Sequence, residues 1–148
     1  MAAEVRIFLD TSVLIAALLS DTGGSRLILK LGEAGAVQLW VGQRVLQEAD
    51  GVLARKAPER RPLFALLLDR AQVSVGPEPD EAALARTRAI VDYRPDAHIL
   101  AEALVAEVDY LVSLDRKHLV GNPRTLDLPF SVGTPGEFLA WFRERLSI

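Results

Sequence analysis

Short apolar runs alternate with longer stretches of helical periodicity along the whole sequence. The predicted strands are residues 5–9, 37–41, 72–75, 110–114 and 130–132. The predicted helices are residues 13–19, 25–33, 45–56, 62–71, 80–91, 96–106 and 135–146. Such alternation is typical of a parallel sheet covered by helices through right-handed crossovers. We therefore predict an α/β fold: a three-layer α/β/α sandwich around a mostly parallel sheet.

The 148 residues fit a single domain, which we expect to span residues 1–148. There is no cysteine, so the chain has neither disulfides nor thiolate metal ligands. The longest apolar runs, such as residues 63–68, are far shorter than the ~20 residues of a membrane-spanning helix. The N-terminus lacks the features of a signal peptide. We expect a cytoplasmic protein with no membrane partner.

The net charge of −3 is unusual for a protein that binds nucleic acid. However, carboxylates that hold cations contribute to that charge, and bound Mg²⁺ reverses its sign locally. The basic side chains form two groups: Arg55, Lys56, Arg60 and Arg61, and then Arg86, Arg88 and Arg94. They are either phosphate-binding groups or ordinary solvated helix faces.

Two aspartates stand at the ends of predicted strands. Asp10 directly follows the first strand, and Asp115 follows the fourth. Ligands of open parallel sheets bind at the carboxyl ends of the strands, near the point where strand order reverses. Each aspartate could instead cap the helix or turn that follows it. Their shared position favours a common site.

Two further acids lie in predicted helices. Asp96 follows Pro95, which keeps the preceding residue out of helical geometry and so places Asp96 at a helix start. Its alternative role is also capping. Glu48 lies inside a helix, where its alternative role is a surface ion pair with Arg44 one turn earlier.

Converging carboxylates are the usual oxygen ligands of Mg²⁺ or Mn²⁺. Without a cation they would repel one another and raise the pKa of some members. A bound cation can polarise a phosphate and activate water, so no histidine or cysteine nucleophile is needed. Hydroxyls at Thr11, Ser12 and Ser113 can orient a carboxylate, or simply complete the caps, which is the role we favour for Thr11.

The same segments resemble the PIN-domain family, which includes the VapC-type ribonuclease toxins of prokaryotes. The resemblance rests on residues 9–14, Glu48, and residues 95–104, 109–115 and 134–139, which together cover nearly the whole chain in the expected order. No single segment is specific, but the ordered set of four acids is. Two departures stand out: Pro95 replaces an acid often found before Asp96, and the basic residues 116–118 replace a second acid after Asp115.

The resemblance implies a PIN-like fold and Mg²⁺- or Mn²⁺-dependent cleavage of RNA phosphodiester bonds. It assigns the catalytic and metal-binding positions to Asp10, Glu48, Asp96 and Asp115, with Ser12 and Ser113 as supporting hydroxyls. The implied partners are an RNA substrate, an antitoxin protein if the chain is a toxin, and a second copy of the chain in a homodimer.

Other functions fit the residues less well. A haloacid-dehalogenase phosphotransferase needs a second aspartate at the position of Ser12, and a receiver domain needs an acidic neighbour beside Asp10. There is no phosphate-binding loop motif. His98 and His118 are too few for a zinc site without thiolates, so we expect them at the surface, with His118 near phosphate. The main alternative is a PIN-like module that binds RNA or protein without cutting.

Overall fold

A computed structural model describes residues 4–146. Its strands are β1 (Arg6–Leu9), β2 (Gln38–Val41), β3 (Ser74–Val75), β4 (Tyr110–Val112) and β5 (Ser131–Gly133). Its α-helices are α1 (Thr11–Leu19), α2 (Gly24–Glu33), α3 (Gln43–Lys56), α4 (Arg61–Arg70), α5 (Glu81–Arg88), α6 (Arg94–Val105) and α7 (Pro135–Leu146). Two 3-10 turns lie at Pro58–Arg60 and Pro123–Asp127.

The five strands form one sheet in the order β3-β2-β1-β4-β5, and every neighbouring pair is parallel. In the central strand β1, Phe8 pairs with Trp40 on one side and Leu111 on the other. The whole of residues 7–9 is buried, as expected for a parallel strand whose two faces are both covered. The predicted α/β sandwich is confirmed, and the sheet is fully parallel.

Strand order reverses between β1 and β4. The chain runs from β1 through β2 to β3, and then α5 and α6 carry it back to β4 on the other side of β1. The carboxyl ends of β1 and β4 are therefore neighbours at the reversal point, where open parallel sheets place their sites.

The elements at this edge differ by a few residues from the prediction. Helix α1 begins at Thr11 rather than Val13, because Asp10 caps it and accepts the Thr11 N–H at 2.7 Å. Strand β4 ends at Val112 rather than Leu114, because the Leu114 N–H is donated to the Ser12 hydroxyl. Helix α6 begins at Arg94 rather than Asp96.

Helix α7 begins with a capping box. The Thr134 hydroxyl accepts the Glu137 N–H at 3.2 Å, and the Glu137 carboxylate accepts the Thr134 N–H at 3.1 Å. The backbone N–H of Thr134, and after it the Thr134 hydroxyl, lower the pKa of Glu137. The predicted final helix is thus fixed at its start.

Within residues 4–146, no single helix is long and apolar enough to cross a membrane. The pair α1 and α2, bent by 94° at the break between them, would satisfy length and composition only when taken together.

Candidate active site

The Asp10 carboxylate is buried at the end of β1 and receives three hydrogen bonds. The Thr11 N–H reaches one oxygen at 2.7 Å, while the Ser113 and Ser12 hydroxyls reach the other at 2.7 and 3.2 Å. Burial raises the pKa of Asp10, although the Ser113 hydroxyl and the other donors oppose the shift. The sequence left two roles open for Asp10, capping helix α1 or belonging to a site at the sheet edge. The Asp10 side chain caps α1 and also lies at that edge.

Two serine hydroxyls join the ends of β1 and β4. While donating to Asp10, the Ser113 hydroxyl accepts the Asp115 N–H at 3.0 Å, and the Ser12 hydroxyl accepts the Leu114 N–H at 3.1 Å. Ser113 is fully buried. The expected role of both serines in orienting a carboxylate agrees with these contacts.

Asp96, Asp115 and His118 form a compact cluster beside this network. Each offers one ligand atom, and the three atoms lie within 4.8 Å of one another. His118 Nδ1 is 2.9 Å from Asp96 Oδ2 and 3.2 Å from Asp115 Oδ2. The other oxygen of Asp115 accepts the N–H groups of Lys117 and His118, so Asp115 also caps the predicted turn.

The two carboxylates of the cluster have opposite pKa shifts. Burial, then the hydrogen bond and charge of Asp115, raise the pKa of Asp96 to about 7. Burial also raises the pKa of Asp115, but hydrogen bonds from the His118 N–H and the Asp96 carboxyl outweigh it and leave the pKa below its usual value. When no cation is bound, Asp96 therefore keeps its proton up to about pH 7, while Asp115 beside it is already ionised.

Glu48 lies on the same side of the sheet but outside this cluster. It accepts a hydrogen bond from the Thr11 hydroxyl at 3.1 Å and forms the expected ion pair with Arg44 at 3.0 Å. Glu48, Thr11 and Asp96 line one cavity of about 440 Å³. The Thr11 hydroxyl therefore donates its hydrogen bond to Glu48, whereas the sequence analysis favoured a role in capping the helix.

The four acids predicted from the sequence lie around one end of the sheet. Asp10 and Glu48 each contribute to the electrostatic environment of a neighbouring acid, Asp10 at Asp96 and Glu48 at Asp10. Among the described residues, the group with metal-ligand spacing contains only two of them, Asp96 and Asp115, and takes His118 as its third member. Asp96 does not cap α6: the cap position is Tyr93.

His118 and Glu102 are the residues whose positions the sequence did not predict. His118 is half-buried between two carboxylates rather than at the surface. The feature of the sequence that could have indicated this position is its spacing of three residues from Asp115.

Glu102 is buried and accepts the Arg44 N–H at 2.8 Å at the start of α3. Its carboxylate occupies the space that a side chain at Gly42 would need. Glu102 therefore fixes the start of the helix that carries Glu48.

The donor set fits a hard divalent cation. The two carboxylates supply the oxygen ligands that Mg²⁺ or Mn²⁺ prefers, and the imidazole nitrogen is a ligand typical of divalent transition metals. Moreover, Asp96 Oδ2 is buried and receives no hydrogen bond of good geometry, despite the nearby His118 ring. A buried oxygen without a donor is costly, and a cation would satisfy it.

The structure places the chain among parallel α/β proteins that carry an acidic cluster at the point where strand order reverses. Comparison with known proteins identifies the family. The family model for the PIN domain matches residues 6–117. The chain therefore belongs to the PIN-domain family, as the sequence motifs predicted.

Comparison with solved structures gives 12 matching chains. One belongs to the crystal structure of VapBC2 from Rickettsia felis bound to a DNA fragment from their promoter. Its TM-score is 0.62 at 13% identity, over 87% of this chain and 98% of that one. At this identity, the similarity shows a common fold. No curated protein matches the sequence.

Proposed function

We propose that the chain is a divalent-metal-dependent endoribonuclease that cleaves RNA phosphodiester bonds. The observation that carries the proposal is the cluster of Asp96, Asp115 and His118 at the point where strand order reverses in a PIN-domain sheet. One oxygen of this cluster, Asp96 Oδ2, is buried without a hydrogen-bond donor. A module that only binds RNA or protein does not need a cation-binding cluster.

Asp96 and Asp115 would hold Mg²⁺ or Mn²⁺, with His118 Nδ1 as the third donor. Asp10 and Glu48 would add negative charge close to the cation. When bound, the cation supplies phosphate polarisation and water activation. Asp96 has to release its proton to serve as a ligand, and because its pKa is raised to about 7, the proton would compete with the cation near neutral pH.

The remaining residues position these ligands. Ser113 links Asp10 to the backbone of Asp115, so the carboxyl ends of β1 and β4 keep a fixed separation. Thr11 and Arg44 hold the two oxygens of Glu48. A preorganised site of this kind loses little entropy when substrate binds.

Two further aspects belong to the proposal. A toxin role with an antitoxin partner is supported by the shared fold with a chain of the VapBC2 structure. The homodimer is proposed from the family resemblance alone. A cytoplasmic location agrees with the lack of cysteine. Light scattering of the purified chain, alone and coexpressed with the product of a neighbouring gene, measures both assemblies.

The direct test is incubation of the purified chain with single-stranded and structured RNAs in Mn²⁺, Mg²⁺ or EDTA. Asp10→Asn and Asp96→Asn should lower the cleavage rate at least about 100-fold, since a bound metal contributes several kcal/mol. Asp69→Asn is the matched control, because Asp69 is exposed near the end of α4 that leads into β3, at the opposite edge of the sheet. Cleavage that persists in EDTA or in both site variants contradicts the proposal. RNA binding without cleavage favours the non-catalytic module.

A further inference from the structure

Tyr93 is an exposed aromatic residue directly beside the acidic cluster. It is 53% exposed at the position that caps α6. Its ring stacks on His118, with 5.1 Å between ring centroids and 18° between ring planes. Because His118 covers one side of the ring, the exposed part remains available to a second flat group.

Two cavities meet at Tyr93. The larger, of about 630 Å³, is lined by Tyr93, Lys117, His118, Asn122 and Arg124 together with residues 90–92. The smaller, of about 440 Å³, includes Tyr93, Asp96, Glu48, Arg44 and Arg55. The cluster borders the first cavity through His118 and the second through Asp96. A chain-like ligand crossing the cluster would therefore pass Tyr93.

The charges of the larger cavity suit a phosphate backbone better than those of the smaller one. Lys117 and Arg124 line the larger one and outnumber its single acid, Asp92. The Arg124 guanidinium also donates to the Ala89 carbonyl at 3.3 Å, which holds it at the rim. In the smaller cavity Arg44 is paired with Glu48, and Arg55 is the second cation beside the second acid, Asp96. The larger cavity therefore carries the more favourable field for a phosphate.

We propose that Tyr93 stacks on an unpaired base next to the scissile phosphate, while Lys117 and Arg124 bind the adjoining backbone phosphate. The inference rests on the proposed function and names the residues that would make this site select an unpaired base. A base in a duplex has both faces covered by its neighbours, so only an unpaired base can stack on a protein ring.

The test is a titration of end-labelled oligouridine and of a fully paired RNA duplex, followed by fluorescence anisotropy. All variants carry Asp10→Asn as well, so that the RNA stays intact. Tyr93→Ala should weaken oligouridine binding about fivefold to a hundredfold, the range found for loss of one base–aromatic stack. Tyr93→Phe should bind like the parent, and duplex binding should be weak and unchanged by Tyr93→Ala.

Charge variants test the second half of the proposal. Lys117→Ala should weaken oligouridine binding and reduce its dependence on salt, whereas Asp92→Asn should strengthen binding. Lys30→Ala, an exposed lysine on α2, is the control and should change nothing. Mn²⁺ affinity measured in Tyr93→Ala with Asp10 intact should equal that of the wild type, which shows that the loss does not come from a disturbed cluster.

The outcomes separate the two proposals. Equal oligouridine binding by Tyr93→Ala and the parent would overturn the stacking proposal and leave the nuclease standing; so would an equal loss in Tyr93→Phe or on duplex RNA. RNA binding by the intact chain without cleavage in Mn²⁺ overturns the proposed function alone. Absence of any RNA binding overturns both.

Discussion

Asp10 and Asp96 are buried carboxylates at the same edge of the sheet, but they differ in how far the protein supplies hydrogen-bond donors to their oxygens. Asp10 receives three hydrogen bonds from Thr11, Ser12 and Ser113. Asp96 has a buried oxygen without a well-formed hydrogen bond and an ionised neighbour in Asp115. The contrast teaches that the oxygens of Asp10 find hydrogen-bond donors within the protein, whereas the buried oxygen of Asp96 needs either a proton or a cation.

The largest effect on stability is expected at Asp96 in metal-free protein. Its pKa is 3.8 unperturbed and about 7 in the fold, so the folded state binds more protons over that interval. Its contribution to stability is therefore fully present below about pH 3.8 and is lost as pH rises through 7. Asp96→Asn mimics the neutral form and should stabilise the protein by about 1–3 kcal/mol at pH 7.5 in EDTA.

Urea unfolding at pH 5 and pH 7.5 measures this effect. The wild type should lose stability between the two pH values more steeply than Asp96→Asn, and saturating Mn²⁺ should reverse the ranking at pH 7.5. A variant less stable than the wild type in EDTA at pH 7.5 would show that Asp96 is already satisfied.

At Asp10, the loss of a hydrogen bond should lower the stability of the protein, opposite to the gain expected for Asp96→Asn. Ser113→Ala removes a donor from Asp10 and an acceptor from the Asp115 N–H, both buried or half-buried, and should destabilise the protein by about 1–2 kcal/mol. Ser12→Ala should cost less, because its bond to Asp10 is longer at 3.2 Å. Thermal unfolding of both variants in EDTA provides the comparison; equal costs would mean that the two hydroxyls are equivalent.

The smallest effect is expected at Glu48, whose ion pair is partly exposed. Arg44→Gln should change stability by only about 0.3–0.5 kcal/mol, as is usual for a helix pair four residues apart. The loss should disappear at high salt, because screening already weakens the pair. A salt-independent cost measured by urea unfolding would instead point to packing of the Arg44 side chain.

The fold was largely readable from the sequence because buried parallel strands are short continuous apolar runs. Residues 7–9 are the clearest case. The positions of Asp10 and Asp115 followed from the same logic, since an acid that directly follows such a run lies at the carboxyl edge of the sheet. Helix starts were less accurate. The start of α1 depends on the hydrogen bond from Thr11 to Asp10, and periodicity carries no information about that bond.

The cluster itself was only half predictable. His118 looked like part of a basic surface segment, because sequence does not show that the turn capped by Asp115 brings its ring against Asp96. Glu102 was equally inconspicuous, since its burial depends on the packing of α6 against the start of α3 and on the missing side chain at Gly42. Contacts between elements distant in sequence account for both.

Metal binding tests the central claim most directly. Calorimetric titration of the metal-free chain with Mn²⁺ should show binding that Asp96→Asn and Asp115→Asn weaken at least about tenfold, because each removes a charged ligand. Asp69→Asn should leave the affinity unchanged. Binding should also release protons near neutral pH, as Asp96 ionises. Equal affinity in all four proteins would contradict the assignment of the cation to this cluster.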